Sequence, residues 1–90
     1  MIVTLRQTDD ATCELKEVTP ATSCVFPVPL GKSVLVAALR TLLAEPEQRD
    51  LNEGPVRLDR MRDGIRVNVG AGAFIIAYSH LFPLVLEPAA

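Results

Sequence analysis

Gly31-Lys32-Ser33 has the residue types that end a phosphate-binding loop. Such a loop wraps phosphate in backbone N–H groups, and it needs a glycine five residues before Gly31. Phe26 stands at that position, and Pro27 and Pro29 remove two of the donors the cradle would use. The segment therefore reads as a helix start with an exposed lysine, and no nucleotide or other cofactor is expected. Cys13 and Cys24 have only His80 as a further soft or borderline ligand, and no Cys-x-x-Cys pair is present. A zinc site wants four such groups, so no metal is expected. Each cysteine reads as a small buried hydrophobe. Tyr78, Ser79 and His80 offer a hydroxyl beside an imidazole, which would suit nucleophilic catalysis if they lined a concave pocket. A catalytic set is defined by geometry, and the spacing alone defines none. Asp9-Asp10 falls in a turn, and Asp59 and Asp63 lie among arginines that hold them ionised. No catalytic residue is assigned, and the chain is expected not to be an enzyme.

Arg57, Arg60, Arg62 and Arg66 form the strongest local charge feature. Against Asp59 and Asp63 they leave a local charge of +2 in a chain whose net charge is -2. On a two-stranded ribbon such residues could meet an acidic protein surface or phosphates. No aromatic residue lies between them for base stacking. Nucleic acid is therefore the second choice of partner, and a protein is the first.

The elements that would position these residues follow from pattern. Gly31–Glu45 carries Leu35, Leu39, Leu42 and Leu43 at helical spacing, and Pro46 must end the helix. Residues 2–6 and 12–18 alternate as strands about Thr8-Asp9-Asp10. A three-residue turn there would pair Leu5 with Cys13 and Val3 with Leu15. Cys24, Phe26 and Val28 alternate between prolines, which confines them to an edge strand or an extended lead-in. Residues 46–54 read as a polar connection or one helical turn anchored by Leu51. Residues 55–69 form a second hairpin about Asp63-Gly64. A loop from Met61 to Gly64 would pair Leu58 with Val67 and Val56 with Val69, and set Asp59 opposite Arg66. Gly70-Ala71-Gly72 is a turn or kink. Ala73–Leu81 reads as a strand on its Phe, Ile and Tyr content, with a last short strand at Leu84–Leu86. The expected fold is α+β over residues 1–90 as one domain: an antiparallel sheet of two hairpins and one or two further strands on a central helix, in the order β-β-(β)-α-β-β-β.

Val67–Leu86 contains twenty residues without a formal charge, the length of a bilayer span. Gly70, Gly72, Ser79, His80 and Pro83 interrupt it, so it reads as buried globular structure. The first residues lack a basic segment followed by an apolar run, and a cytoplasmic setting is expected. The composition is 49% hydrophobic but only 4% aromatic, with no Trp, so the core is aliphatic. A helix against one sheet needs one apolar face, yet Val34, Val36, Ala37, Ala38 and Ala44 extend this one beyond its leucine stripe. The surplus predicts a second contact. Val34, Ala37 and Ala38, together with Arg57, Arg60, Arg62 and Arg66, are the expected partner-binding residues. The expected function is a non-enzymatic protein-interaction module that forms homo-oligomers, in the manner of a phage or mobile-element inhibitor or accessory protein.

Overall fold

Alternation of apolar and polar residues builds strands from the first residues onward. In the computed structural model, which describes residues 2–86, β1 (Ile2–Gln7), β2 (Cys13–Val18) and β3 (Ser23–Val28) lead into α1 (Lys32–Ala44). Then come β4 (Asp50–Glu53), β5 (Val56–Arg60), β6 (Gly64–Val69), β7 (Gly72–Ala77) and α2 (Tyr78–Leu86). The fold is α+β. Its strands form two antiparallel sheets rather than one: β1-β2-β3, and β4-β5-β6-β7. Inward-facing residues of both sheets and both helices join in one aliphatic core. At its centre Leu15, Leu35, Leu39, Leu42, Leu58, Ile65, Val67, Ile76 and Leu81 are wholly excluded from water. Each such leucine or isoleucine contributes about 1.5–3 kcal/mol.

The second hairpin has the expected register. Val56 faces Val69, Leu58 faces Val67 and Asp59 faces Arg66. The first hairpin is displaced. Leu5 faces Leu15 and Gln7 faces Cys13, because the turn is Asp9–Ala11, one residue later than expected. Thr8 and Thr12 close it: the Thr8 N–H donates to the Thr12 carbonyl (3.1 Å) and their hydroxyls share a hydrogen bond (2.7 Å). Within the turn the Ala11 N–H donates to Asp9 Oδ1 (2.8 Å). Moving a turn by one residue moves the register by two, so every side chain keeps its face. Leu5, Cys13 and Leu15 still point inward.

Three elements differ from expectation. The segment after Pro46 supplies β4, which joins β5 through the two-residue loop Gly54-Pro55; Gly54 has the positive φ (57°) that loop requires. The strand expected over Ala73–Leu81 ends at Ala77. From Tyr78 the chain is helical, with its N–H bonded to the Asp63 carbonyl (3.1 Å). Leu84–Leu86 is accordingly helix and not strand. Leu81, Leu84 and Val85 recur at i, i+3 and i+4 and are buried, so this stripe, not strand propensity, decides the local structure. Pro83 lies inside α2 and removes the N–H that would bond the Ser79 carbonyl. Tertiary burial of the stripe outweighs that loss. The uncharged run from Val67 is thus divided among β6, β7 and α2. No helix among the described residues is long and apolar enough to cross a membrane.

Gly64 is the tightest backbone contact. A Cβ there would overlap the Ile76 carbonyl oxygen and lie 2.9 Å from Ala77 Cα. Neither obstacle is a flexible side chain. Gly70, which like Gly54 has a positive φ (58°), has nothing within 4 Å of a built Cβ. Gly64→Ala is expected to cost about 3 kcal/mol or more from overpacking. Gly70→Ala should cost about 1–2 kcal/mol, from left-handed backbone alone. Urea denaturation of the two variants measures the difference.

Candidate functional site

Orphan backbone groups at the ends of α1 explain where the polar side chains go. The first N–H groups and last carbonyls of any helix lack partners within it. At the start, Gly31 occupies the N-cap and offers no side chain. Gln7 of β1 reaches across instead: the Lys32 N–H donates to Gln7 Oε1 (2.6 Å), and Gln7 Nε2 donates to the Asp9 carbonyl. The helix start that resembled an anion site is therefore occupied by an amide of the chain itself. At the other end, α1 has no basic residue in its last turn. Arg60 of β5 supplies the cation. Its guanidinium donates to the carbonyls of Leu42, Glu45 (2.8 Å) and Gln48 (3.0 Å). Arg40 does similar work for α2, donating from Nε to the Val85 carbonyl (2.7 Å).

Arg57 and Arg66 lie on the outer face of the four-stranded sheet and are paired with carboxylates. Arg57 meets Asp50 (2.9 Å) and Asp59 (3.1 Å), and Arg66 meets Asp59 (3.2 Å). Asn68 adds a hydrogen bond to Asp59 Oδ2 (2.8 Å). Burial alone would raise the Asp59 pKa, but the hydrogen bonds from Arg57, Arg66 and Asn68 prevail and hold it below the ordinary value of 3.8. Asp59 in turn raises the Arg57 pKa. Arg62 is exposed in the β5–β6 loop.

The expected helix face is only partly open. Val34 is 41% exposed, and Ala37 and Ala44 are exposed. Ala38 is 5% exposed and belongs to the core, so its place among surface residues is corrected. On the helical wheel it lies next to Leu42, at one edge of the buried arc Ala38-Leu42-Leu35-Leu39, and so faces in with them. Val36 and Leu43 are also tucked against the core. The helix that helps cover α1 was not expected from the sequence, and it brings its own exposed apolar stripe. Phe82 is 48% exposed and Leu86 72%. They follow Tyr78 at i+4 and i+8, and the Tyr78 and Phe82 rings are 6.5 Å apart. The spacing Tyr78-Phe82-Leu86 was available as the signal, beside the buried stripe.

The other candidates disperse. Cys13 is buried, and burial pushes its thiol pKa up to about 11, so it is a thiol and not a thiolate at neutral pH. Cys24 is exposed on β3, contrary to its expected burial, because it lies opposite Glu17 near the sheet end, beyond the core. Tyr78 donates to the Met61 carbonyl (2.8 Å). His80 is half-buried and Ser79 exposed. A cleft of about 510 Å³ opens beside Thr8, Thr12, Cys13, Val28 and Val69. None of Tyr78, Ser79 and His80 lines it. Among the described residues no three metal-ligating side chains gather. No protein-family model, characterised protein or solved structure matches the chain.

Two outcomes follow from the paired arginines. Arg60→Leu leaves three carbonyls without a charged donor and is expected to cost about 2–4 kcal/mol in chemical denaturation. Asp59 has a folded-state pKa below its unfolded value. It therefore contributes stability above pH 3.8 and loses it as pH falls through the folded-state pKa. Stability measured against pH should fall in that acid window, and Asp59→Asn should flatten the fall.

Proposed function

We propose that this protein is a non-enzymatic interaction module that binds a protein partner through exposed apolar helix surface. The observation that carries the proposal is the α2 stripe. Phe82 and Leu86 are large, apolar, one helical turn apart and open to water. Full burial of such a side chain contributes about 1.5–3 kcal/mol; the exposed fractions of Phe82 and Leu86 forgo part of that, which a partner groove recovers by accepting an i, i+4 helix face. Val34 on α1 adds further exposed apolar surface. The arginine hairpin supports nucleic-acid binding less well. Arg57 and Arg66 already face carboxylates, and Arg60 faces carbonyls. Among the described residues Arg62 is the one of the four that meets no carboxylate or carbonyl, and counterion release scales with the number of phosphates neutralised.

The test compares proteins retained by the immobilised full chain with those retained by Phe82→Ser/Leu86→Ser, a double variant outside the core. A stoichiometric partner held by the natural chain and lost from the variant is the expected result. Equal retention by both chains, or loss of the partner only with Arg57→Glu/Arg62→Glu, would transfer the site to another surface. Retention on DNA or RNA that falls steeply with salt would favour the second reading.

A further inference from the structure

We infer that β7 is a dimerisation edge, pairing antiparallel with β7 of a second copy to join two four-stranded sheets into one of eight strands. The two sheets have four outer strands, and three carry a device that discourages edge pairing. β4 is four residues long and bears Asp50 and Glu53. β3 contains Pro27, which has no N–H to donate. β1 is contacted by both helices. β7 is neither short, charged nor interrupted by proline, and α2 is the helix that chiefly contacts it. Gly72-Ala-Phe-Ile-Ile-Ala77 has no charge and no proline, and Ile75 is 55% exposed. Besides β6, the element most in contact with β7 is α2, which continues it.

The free edge also has the right backbone phase. The Tyr78 N–H bonds the Asp63 carbonyl, and ladder bonds alternate along an antiparallel strand. Residues 78, 76, 74 and 72 therefore turn their backbone groups toward β6, and Ala73, Ile75 and Ala77 turn theirs outward. These three also have their side chains on the outer face of the sheet, in register with Asn68, Arg66 and Gly64.

A second copy is the occupant because the strand is nearly palindromic. Ala73-Phe74-Ile75-Ile76-Ala77 reversed about Ile75 places Ala73 against Ala77, Phe74 against Ile76, and Ile75 against itself. A two-fold axis normal to the sheet keeps both faces continuous only when the residues paired have this parity. Along the outer face the order becomes Asp59, Arg66, Ile75, then Ile75, Arg66 and Asp59 of the second copy. Two isoleucines separate the arginines, each of which already has its own Asp59. No like charges are placed opposite one another. The surface is distinct from the α2 stripe, and the inference stands independently of it.

The test is sedimentation equilibrium of the full chain over a wide concentration range. The expected mass rises toward twice the 9.8 kDa chain mass, and Ile75→Lys remains monomeric with an unchanged circular dichroism spectrum. The register is checked by oxidation in a Cys24→Ser background. Ile75→Cys should form an intermolecular disulfide, since residues paired in this way have Cα atoms about 5.5 Å apart. Ala73→Cys should not, because it opposes Ala77 and its own copy lies about 14 Å away along the strand. Phe82→Ser/Leu86→Ser should dimerise like the natural chain. A natural chain that stays monomeric throughout, a dimer that survives Ile75→Lys, or crosslinking of Ala73→Cys in place of Ile75→Cys overturns the inference. The first of these results leaves the α2 reading intact, and a partner lost only with Ile75→Lys would move that reading to β7.

Discussion

A buried-side helix with no capping residues of its own is the constraint around which this fold is arranged. α1 begins at a glycine and ends without a cation in its last turn, yet its terminal N–H and carbonyl groups still need partners. The two sheets provide them from opposite ends. Gln7 of the three-stranded sheet takes the Lys32 N–H, and Arg60 of the four-stranded sheet takes the carbonyls of Leu42 and Glu45. Hydrophobic contact is non-directional and would let the helix slide or rotate over its leucine stripe. These polar bonds fix its axial position, because each end is held to a different sheet. The same arrangement makes α1, together with α2, a mechanical link between two sheets that share no strand.

Seen this way, the concentration of arginines in residues 57–66 is mainly structural. Arg60 is inward and holds α1, while Arg57 and Arg66 bracket Asp59 on the opposite face of the sheet. Alternation along β5 separates these roles: residues 57 and 59 face out and residues 58 and 60 face in. Exposed ion pairs on their own contribute little. Here Asp59 accepts from three side chains on two strands, so one carboxylate orders the outer face of β5 and β6. The charged lattice also sets a boundary. It covers the middle of the sheet and stops at β7, whose outer residues Ala73, Ile75 and Ala77 carry no polar group.

How much of this could be read from the sequence depended on whether a signal was local. The second hairpin was legible because turn chemistry at Asp63-Gly64, apolar pairing of Leu58 with Val67 and the opposition of Asp59 to Arg66 all favour one register. In the first hairpin the faces were legible and the register was not, since Thr8 and Thr12 close the turn by a bond between side chains that propensity does not encode. β4 was missed because three of its four residues are polar and only Leu51 packs inward. α2 was missed because Phe, Ile and Tyr content favours strand, and a proline at position 83 argues against helix. The buried stripe of Leu81, Leu84 and Val85 needs α1 and β1 as its counterpart before it outweighs either. The long-range bonds of Gln7 and Arg60 had no sequence signal at all.

The apolar surplus first assigned to α1 is not lost in the folded protein but moved outward. α2 packs beside α1, and Val36 and Leu43 are partly buried against the core. A nine-residue helix that buries one stripe must present another to water, and Phe82 and Leu86 occupy it. The chain could have ended its apolar content in polar residues on that outer stripe, as an ordinary solvent-facing helix does. It also could have closed the sheet with a charged strand at β7, as it did at β4. It did neither, and the two departures are adjacent in sequence, since β7 runs directly into α2. One continuous segment, Gly72–Leu86, thus carries Ile75, Phe82 and Leu86 on the surface, while Arg57, Asp59, Arg60 and Arg66 of the preceding hairpin are held in the outer-face lattice and the helix cap. That division, charge used for internal order and apolar surface left outside, is the physical ground on which association is proposed for Gly72–Leu86.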